Sequence, residues 1–262
     1  MSATLSAFAD ELVAARHERR TLPPLTERPE GLGIDDAYEV QRLGIQARLR
    51  AGERLIGGKL GFTSRAMQRA MGVSSPNSGW LTDTMTIHDG VVRREELIHP
   101  KVEPEIAFLL RSDLAPPVTA AEVLAATAAV LPCLEVVDSR FTDFRFAAAD
   151  NVADDSSAGA LVLGDAVEPG DTDLALVGTT LWVDEVLHAT AAGAAALDHP
   201  AAAVAWLVNH ARRPDGGRGD GAVLRAGEVV ISGGLTAPVT LTPGVHVRAV
   251  VDRVGTVELR AD

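Results

Sequence analysis

Apolar and polar positions follow helical spacing at the start of the chain and switch to short apolar runs after it. Leu5, Phe8, Leu12 and Ala15 recur every three to four residues, which predicts a first helix with one buried stripe. Thr21 to Gly33 holds three prolines and two glycines and reads as a loop. A second helix is expected to begin near Asp35, which can cap it, to carry Val40, Leu43 and Ala47 on one face, and to stop at Gly52. Beyond Arg54, apolar runs punctuated by Gly, Asn and Asp predict strands over Leu55–Gly61, Met85–Ile87, Val102–Leu110, Val130–Val137, Ala160–Leu163, Thr179–Val183, Val229–Ile231, Val245–Val251 and Thr256–Leu259. Two helices interrupt them, at Ala120–Ala128 and at Pro200–Ala211, where Pro200 suits a first helical turn. The expected organisation is a helical appendage over residues 1–53 and one mixed, mainly β domain over 54–262, an α+β fold.

Composition narrows the function. Apolar residues make up 47% of the 262 positions but aromatics only 4%, so the core must be built from Ala, Val and Leu. Acidic residues outnumber basic ones 36 to 24 and the net charge is −12, which disfavours nucleic acid as a partner, because the one basic group (Arg16, His17, Arg19, Arg20) is interrupted by Glu18. An acidic protein that handles small acids needs a local cation to receive them, and a bound metal is one solution. The single cysteine, Cys133, lies in an apolar run and reads as a buried small hydrophobe. No signal peptide and no apolar stretch long enough to span a bilayer is read, so the expectation is a cytoplasmic protein without a membrane partner.

Five stretches carry candidate chemistry. In His99-Pro-Lys-Val-Glu-Pro-Glu-Ile, Glu103 and Glu105 stand two apart on a strand and share a face; such a pair repels unless a cation lies between, although Pro104 also fits a solvated edge or bulge. Glu135 sits inside the apolar run Leu131-Pro-Cys-Leu-Glu-Val-Val, where an ionised carboxylate needs a metal or a partner such as Arg140. Three carboxylates with open positions favour Mg²⁺ or Mn²⁺ over zinc. Lys59, amid glycines in Ile56-Gly-Gly-Lys-Leu-Gly, is expected to be poorly hydrated, with a lowered pKa suited to acid/base work; a surface turn lysine is the alternative. The glycines match no phosphate loop. The polar run Asp150 to Ser157 leads straight into an apolar strand, as a loop lining a pocket does. Ile231-Ser-Gly-Gly-Leu-Thr can offer backbone N–H groups to a carboxylate or form an ordinary turn.

Taken together these stretches resemble the hydratase/decarboxylase branch of the fumarylacetoacetate hydrolase superfamily, which serves meta-cleavage catabolism of aromatic compounds. The resemblance runs from about Leu55 to the C-terminus and more loosely through the first two helices. It implies a mixed β-roll with flanking helices, usually in a homo-oligomer. It implies a metal at Glu103, Glu105 and Glu135, Lys59 as the active-site lysine, and Leu60, Asn77, Asp138, Ser156 and Ser157 as pocket residues. At Asn77, within Pro76-Asn77-Ser78-Gly79, the hydratases carry an aspartate, and Asp155 stands where both groups carry Asn. Leu97-Ile-His-Pro-Lys-Val-Glu, Asp138-Ser-Arg-Phe and Gly233-Gly-Leu-Thr look like the decarboxylases; Pro132-Cys-Leu-Glu-Val-Val-Asp and Ala205-Trp-Leu-Val-Asn have hydratase counterparts. The implied activity is Mg²⁺-dependent decarboxylation of 2-oxo-3-hexenedioate. A 2-hydroxypenta-2,4-dienoate hydratase is the alternative, and a non-catalytic partner in a complex with a cognate hydratase or decarboxylase is the second.

Overall fold

In the computed structural model, which describes residues 2–262, the chain opens with two long helices, α1 (Ser2–Glu18) and α2 (Ile34–Arg50). The stripe of α1 is buried at Phe8, Leu12 and Ala15 as its spacing requires. Gly33, not Asp35, takes the cap position of α2; Asp35 and Asp36 occupy its first turn, where negative charge suits the helix N-terminus. Five strands and three helices follow: β1 (Leu55–Gly61), α3 (Arg65–Met71), β2 (Asn77–Thr82), β3 (Val91–Val92), β4 (Lys101–Leu110), α4 (Ala120–Ala126), β5 (Thr127–Val137) and α5 (Ala148–Ala153). The remainder comprises β6 (Ala158–Leu163), β7 (Gly178–Val183), β8 (Val186–Ala192), α6 (Pro200–His210), β9 (Val229–Ile231), β10 (Val239–Thr240), β11 (His246–Val251) and β12 (Gly255–Ala261).

The larger sheet runs β2-β1-β9-β4-β5-β6, with β10 also paired to β4; the smaller runs β3-β12-β11-β7-β8. Alternation along β4 sorts its side chains. Ile106 and Phe108 join the core that α4 and α6 complete, and Val102 joins the one shared with the smaller sheet. On the opposite face Ala107 packs with Leu131, Cys133 and Ile231, and this face also carries Glu103 and Glu105. Cys133 is fully buried there, as its apolar surroundings predict.

The N-terminal helices do not stand apart from this body. Phe8, Leu12 and Val40 share a core with Phe141, Val152 and Ala153. The strand expected over Met85–Ile87 is absent: Asp83–Met85 form a 3-10 turn and Thr86 makes only a single bridge to Leu161. The expected loop from Asp150 begins as helix α5, capped when Asp150 accepts from Ala147 N, and the helix expected to reach Ala128 stops at Ala126 where β5 takes over. No helix among the described residues is long and apolar enough to cross a membrane.

Candidate active site and metal centre

Register brings the carboxylates together. β4 and β5 are antiparallel with Glu103 opposite Glu135 and Glu105 opposite Cys133, so Glu105 lies one diagonal step from Glu135. Each of Glu103, Glu105 and Glu135 offers an oxygen within 4.8 Å of the others. Pro104 between them sits on an interior strand, not an edge. Its carbonyl accepts from Leu235 N in the loop joining β9 to β10, and in a strand N and O of one residue point the same way. The missing N–H therefore faces the gap between those two partner strands, where no ladder bond is lost.

That loop also serves the site. Gly233 N donates to Glu105 Oε2 at 2.7 Å, so the backbone donor expected there goes to the protein's own carboxylate. Gly234 lies so close to Glu103 that a Cβ would stand 2.1 Å from its Oε2.

Lys59 reaches the same place from β1. It is 1% exposed, its Nζ lies 2.6 Å from Glu135 Oε1, and it donates to the Ser156 carbonyl at 2.7 Å. Arg140 is not the partner of Glu135; its guanidinium pairs with Asp154. Burial pushes Lys59 down, but the fields of Glu135, Glu105 and Glu103 outweigh it and the net shift is upward. The lowered pKa expected from its apolar neighbours is thus corrected by neighbours on other strands. Burial, with Glu135 adding to it, raises Glu103 to about 7, and burial together with Glu135 and Glu103 holds Glu105 well above the ordinary carboxylate range.

Such a cluster is incomplete without a cation. Glu105 Oε1 and Glu135 Oε2 are buried and accept no hydrogen bond. Three carboxylates and one ammonium leave two negative charges, which a dication would neutralise. The oxygen-only donor set suits Mg²⁺ or Mn²⁺, and the residues present fit one.

Above the cluster opens a cavity of about 630 Å³ whose wall includes Lys59, Glu103, Ser156 and Ser157. Asp155, Ser156 and Ser157 all have positive φ (52°, 52° and 56°), a left-handed run that turns the Ser156 carbonyl onto Lys59. Ser156 Oγ donates to Asn77 Oδ1, Asn77 Nδ2 to Asn151 Oδ1, and Asn151 Nδ2 to Ser157 Oγ. Asn77 is thereby held at both ends as a neutral amide, just behind the wall. Gly61 admits this chain, since a Cβ there would lie 2.2 Å from Asn77 Oδ1.

Of the expected pocket residues, Asn77 thus stands behind the wall, and two others lie elsewhere. Leu60 points to the opposite face of β1 and packs in the core with Ile45 and Trp80. Asp138 is 4% exposed and accepts from the N–H groups of Ile98 and His99, so it shapes the entry to β4 instead of touching the cavity. Asn151 lines the cavity from within the polar run Asp150–Ser157, and Lys101, Phe144 and the apolar side of α3 (Met67, Ala70, Met71) line it without having been singled out. For Lys101 the signal was present: it stands two residues before Glu103, on the same face.

Comparison with known proteins agrees with this architecture. No protein-family model matches the chain. It is 46% identical over 209 residues to a 2-hydroxypent-2,4-dienoate hydratase of Pseudomonas putida, covering 78% of this chain and 94% of that one. It is 36% identical over 252 residues to a 4-oxalocrotonate decarboxylase of a Pseudomonas species, covering 96% and 95%. The solved 4-oxalocrotonate decarboxylase of Pseudomonas putida G7, complexed with magnesium and adipate, superposes with a TM-score of 0.91 at 32% identity over 100% of this chain and 98% of that one. Fumarylpyruvate hydrolase of Pseudomonas aeruginosa, at 12% identity and a TM-score of 0.60 over 79% of this chain and 89% of that one, shares the fold. The chain belongs to the family of dienoate hydratases and 4-oxalocrotonate decarboxylases, lyases built on the fumarylacetoacetate hydrolase fold.

Proposed function

We propose that the protein is a magnesium-dependent decarboxylase of the 2-oxo-3-hexenedioate type. The observation that carries this reading is the buried trio Glu103, Glu105 and Glu135, with acceptor oxygens left open beside Lys59 at the floor of a cavity. The three glutamates would hold the ion, which when bound supplies Lewis-acid stabilisation of the enolate charge that develops as CO₂ leaves. Loss of the distal carboxylate breaks one C–C bond, and its electron pair passes into the dienolate. One proton is needed overall, and Lys59 Nζ, 2.6 Å from Glu135 Oε1 and oriented by the Ser156 carbonyl, is the group placed to give it. Asn77 supports decarboxylation over hydration, since an amide bonded at both ends cannot serve as a base for water.

A second reading, hydration of 2-hydroxypenta-2,4-dienoate, is favoured by the 46% identity to a hydratase. Incubation with Mg²⁺ and freshly prepared 2-oxo-3-hexenedioate separates the two. Metal-dependent CO₂ release supports the decarboxylase; consumption of the dienoate without CO₂ supports the hydratase; inertness toward both supports a non-catalytic partner. Glu105→Gln should lower turnover by about a thousandfold, the several kcal/mol a metal contributes, while the fold survives by circular dichroism. Undiminished turnover in that variant would remove the metal assignment.

A further inference from the structure

We propose that Lys101 is the specificity-determining residue of this site: its ammonium receives a second, distal carboxylate and so selects diacids over monoacids. The proposal rests on the reading of the glutamate cluster as the seat of the metal and the near end of the substrate.

Along β4, Lys101, Glu103 and Glu105 share one face, and each two-residue step advances about 6.6 Å. The ammonium thus stands at the outer end of a row whose inner end is the carboxylate cluster. Lys101 is half-buried in the cavity wall, and among the described residues no carboxylate lies within 4.0 Å of its Nζ. The other lysine of the cavity, Lys59, is already engaged by Glu135 and the Ser156 carbonyl. Lys101 is therefore the cation here with charge to offer.

Its seat is built. Nζ rests 4.0 Å from the centroid of the Phe144 ring, a cation–π contact that leaves its hydrogen-bond donors unconsumed. Phe144 has positive φ (56°) and lies against the ring of His99 at 4.5 Å; His99 Nε2 donates to the Ser139 carbonyl at 2.7 Å. Asp138 fixes the same segment through the N–H groups of Ile98 and His99. The cavity that Lys101 and Glu103 both line also takes Met67, Ala70 and Met71 of α3 into its wall. An ammonium and a carboxylate cluster in one cavity with apolar lining match a 2-oxo acid carrying a terminal carboxylate. A bland role, in which Lys101 only offsets the charge of Glu103, would treat monoacids and diacids alike.

The test uses two unreactive acids that differ only at the far end, 2-oxoadipate and 2-oxohexanoate, titrated calorimetrically into the Mg²⁺-loaded protein. The wild type is expected to prefer 2-oxoadipate by about tenfold or more, the worth of one charge-assisted hydrogen bond. Lys101→Met, which keeps the stem over Phe144, should erase that preference through weaker 2-oxoadipate binding, and Lys101→Arg should retain most of it. In turnover the loss should fall on KM and not on kcat, because an ion pair to the leaving carboxylate stabilises the reactant. Equal affinity of the wild type for the two acids, a preference that survives Lys101→Met, or an equal loss for both acids would each overturn the proposal. Glu105→Gln separates the layers: if it binds both acids as the wild type does, the reading of the metal site fails, whatever the preference shows.

Discussion

Asp155 stands where the family resemblance implies Asn, and its environment makes that difference measurable. Its Oδ1 accepts from Trp80 N, its Oδ2 accepts no hydrogen bond, and burial lifts its pKa to about 6 against the opposing pull of Arg48. Across pH 4 to 6 the folded chain keeps a proton that the unfolded chain has lost, so stability falls as pH rises through that window and is level above it. Asp155→Asn removes the penalty. Relative to the wild type it should gain stability from pH 4 to 6, reaching about 2–3 kcal/mol above pH 6, read from urea midpoints across that range. A pH-independent difference would contradict the assignment. At this scale the glutamates and Lys59 were legible because a carboxylate in an apolar run and a two-residue spacing are local facts. The direction of the Lys59 shift was not, because it depends on charges brought in by β4 and β5. Leu60 and Asp138 were misplaced for a related reason: proximity along the chain does not fix which face of a strand or which side of a turn a group occupies.

Among the elements, those with a strong period or a capping residue were legible and those without were not. The helix from Pro200 appears as expected, with Pro200 at its first turn and His199 Nδ1 accepting from Ala201 N. By contrast β8 is an exposed edge strand with Val186 and Leu187 open to solvent, α3 buries no residue, and β2 begins inside the turn-like Pro76-Asn77-Ser78-Gly79. Hydrophobic pattern cannot announce elements that bury so little or that are held by polar partners. The loop from Ser232 to Pro238, between β9 and β10, illustrates what small residues then do. At Gly234 any side chain would push on Glu103, the flexible end of which can give way. Gly234→Ala should therefore fold normally yet weaken Mg²⁺ binding by about tenfold, one misplaced ligand being worth 1–2 kcal/mol. Calorimetric titration with Mg²⁺ is the measurement, and unchanged affinity with unchanged melting would show that Glu103 is not a ligand.

Across the whole molecule, a buried ionic network joins the first fifty residues to the turn that holds Lys59. Arg48 donates to Glu53 and to Thr82, and its Nη1 lies 3.7 Å from Asp155 Oδ2. Arg140 engages Asp154, and Arg16 donates to the carbonyls of Ala158 and Gly159 at 2.6 and 3.1 Å. Removing one member strands its partners, so Arg48→Met should cost about 3–5 kcal/mol in urea unfolding, well beyond the loss of a surface pair. Such a network joins residues too far apart in the chain for spacing to reveal it, which is why residues 1–53 read as an appendage. Arg16 and the Ala158 carbonyl are 142 residues apart. During synthesis α2 follows at once and covers part of the apolar stripe of α1, but Phe141, Val152 and Ala153, which complete that core, and the strand that receives Arg16 exist only after more than half the chain is made. The earliest part of the protein to be translated can pair with its neighbour early, yet it gains its hold on the distant strand only late.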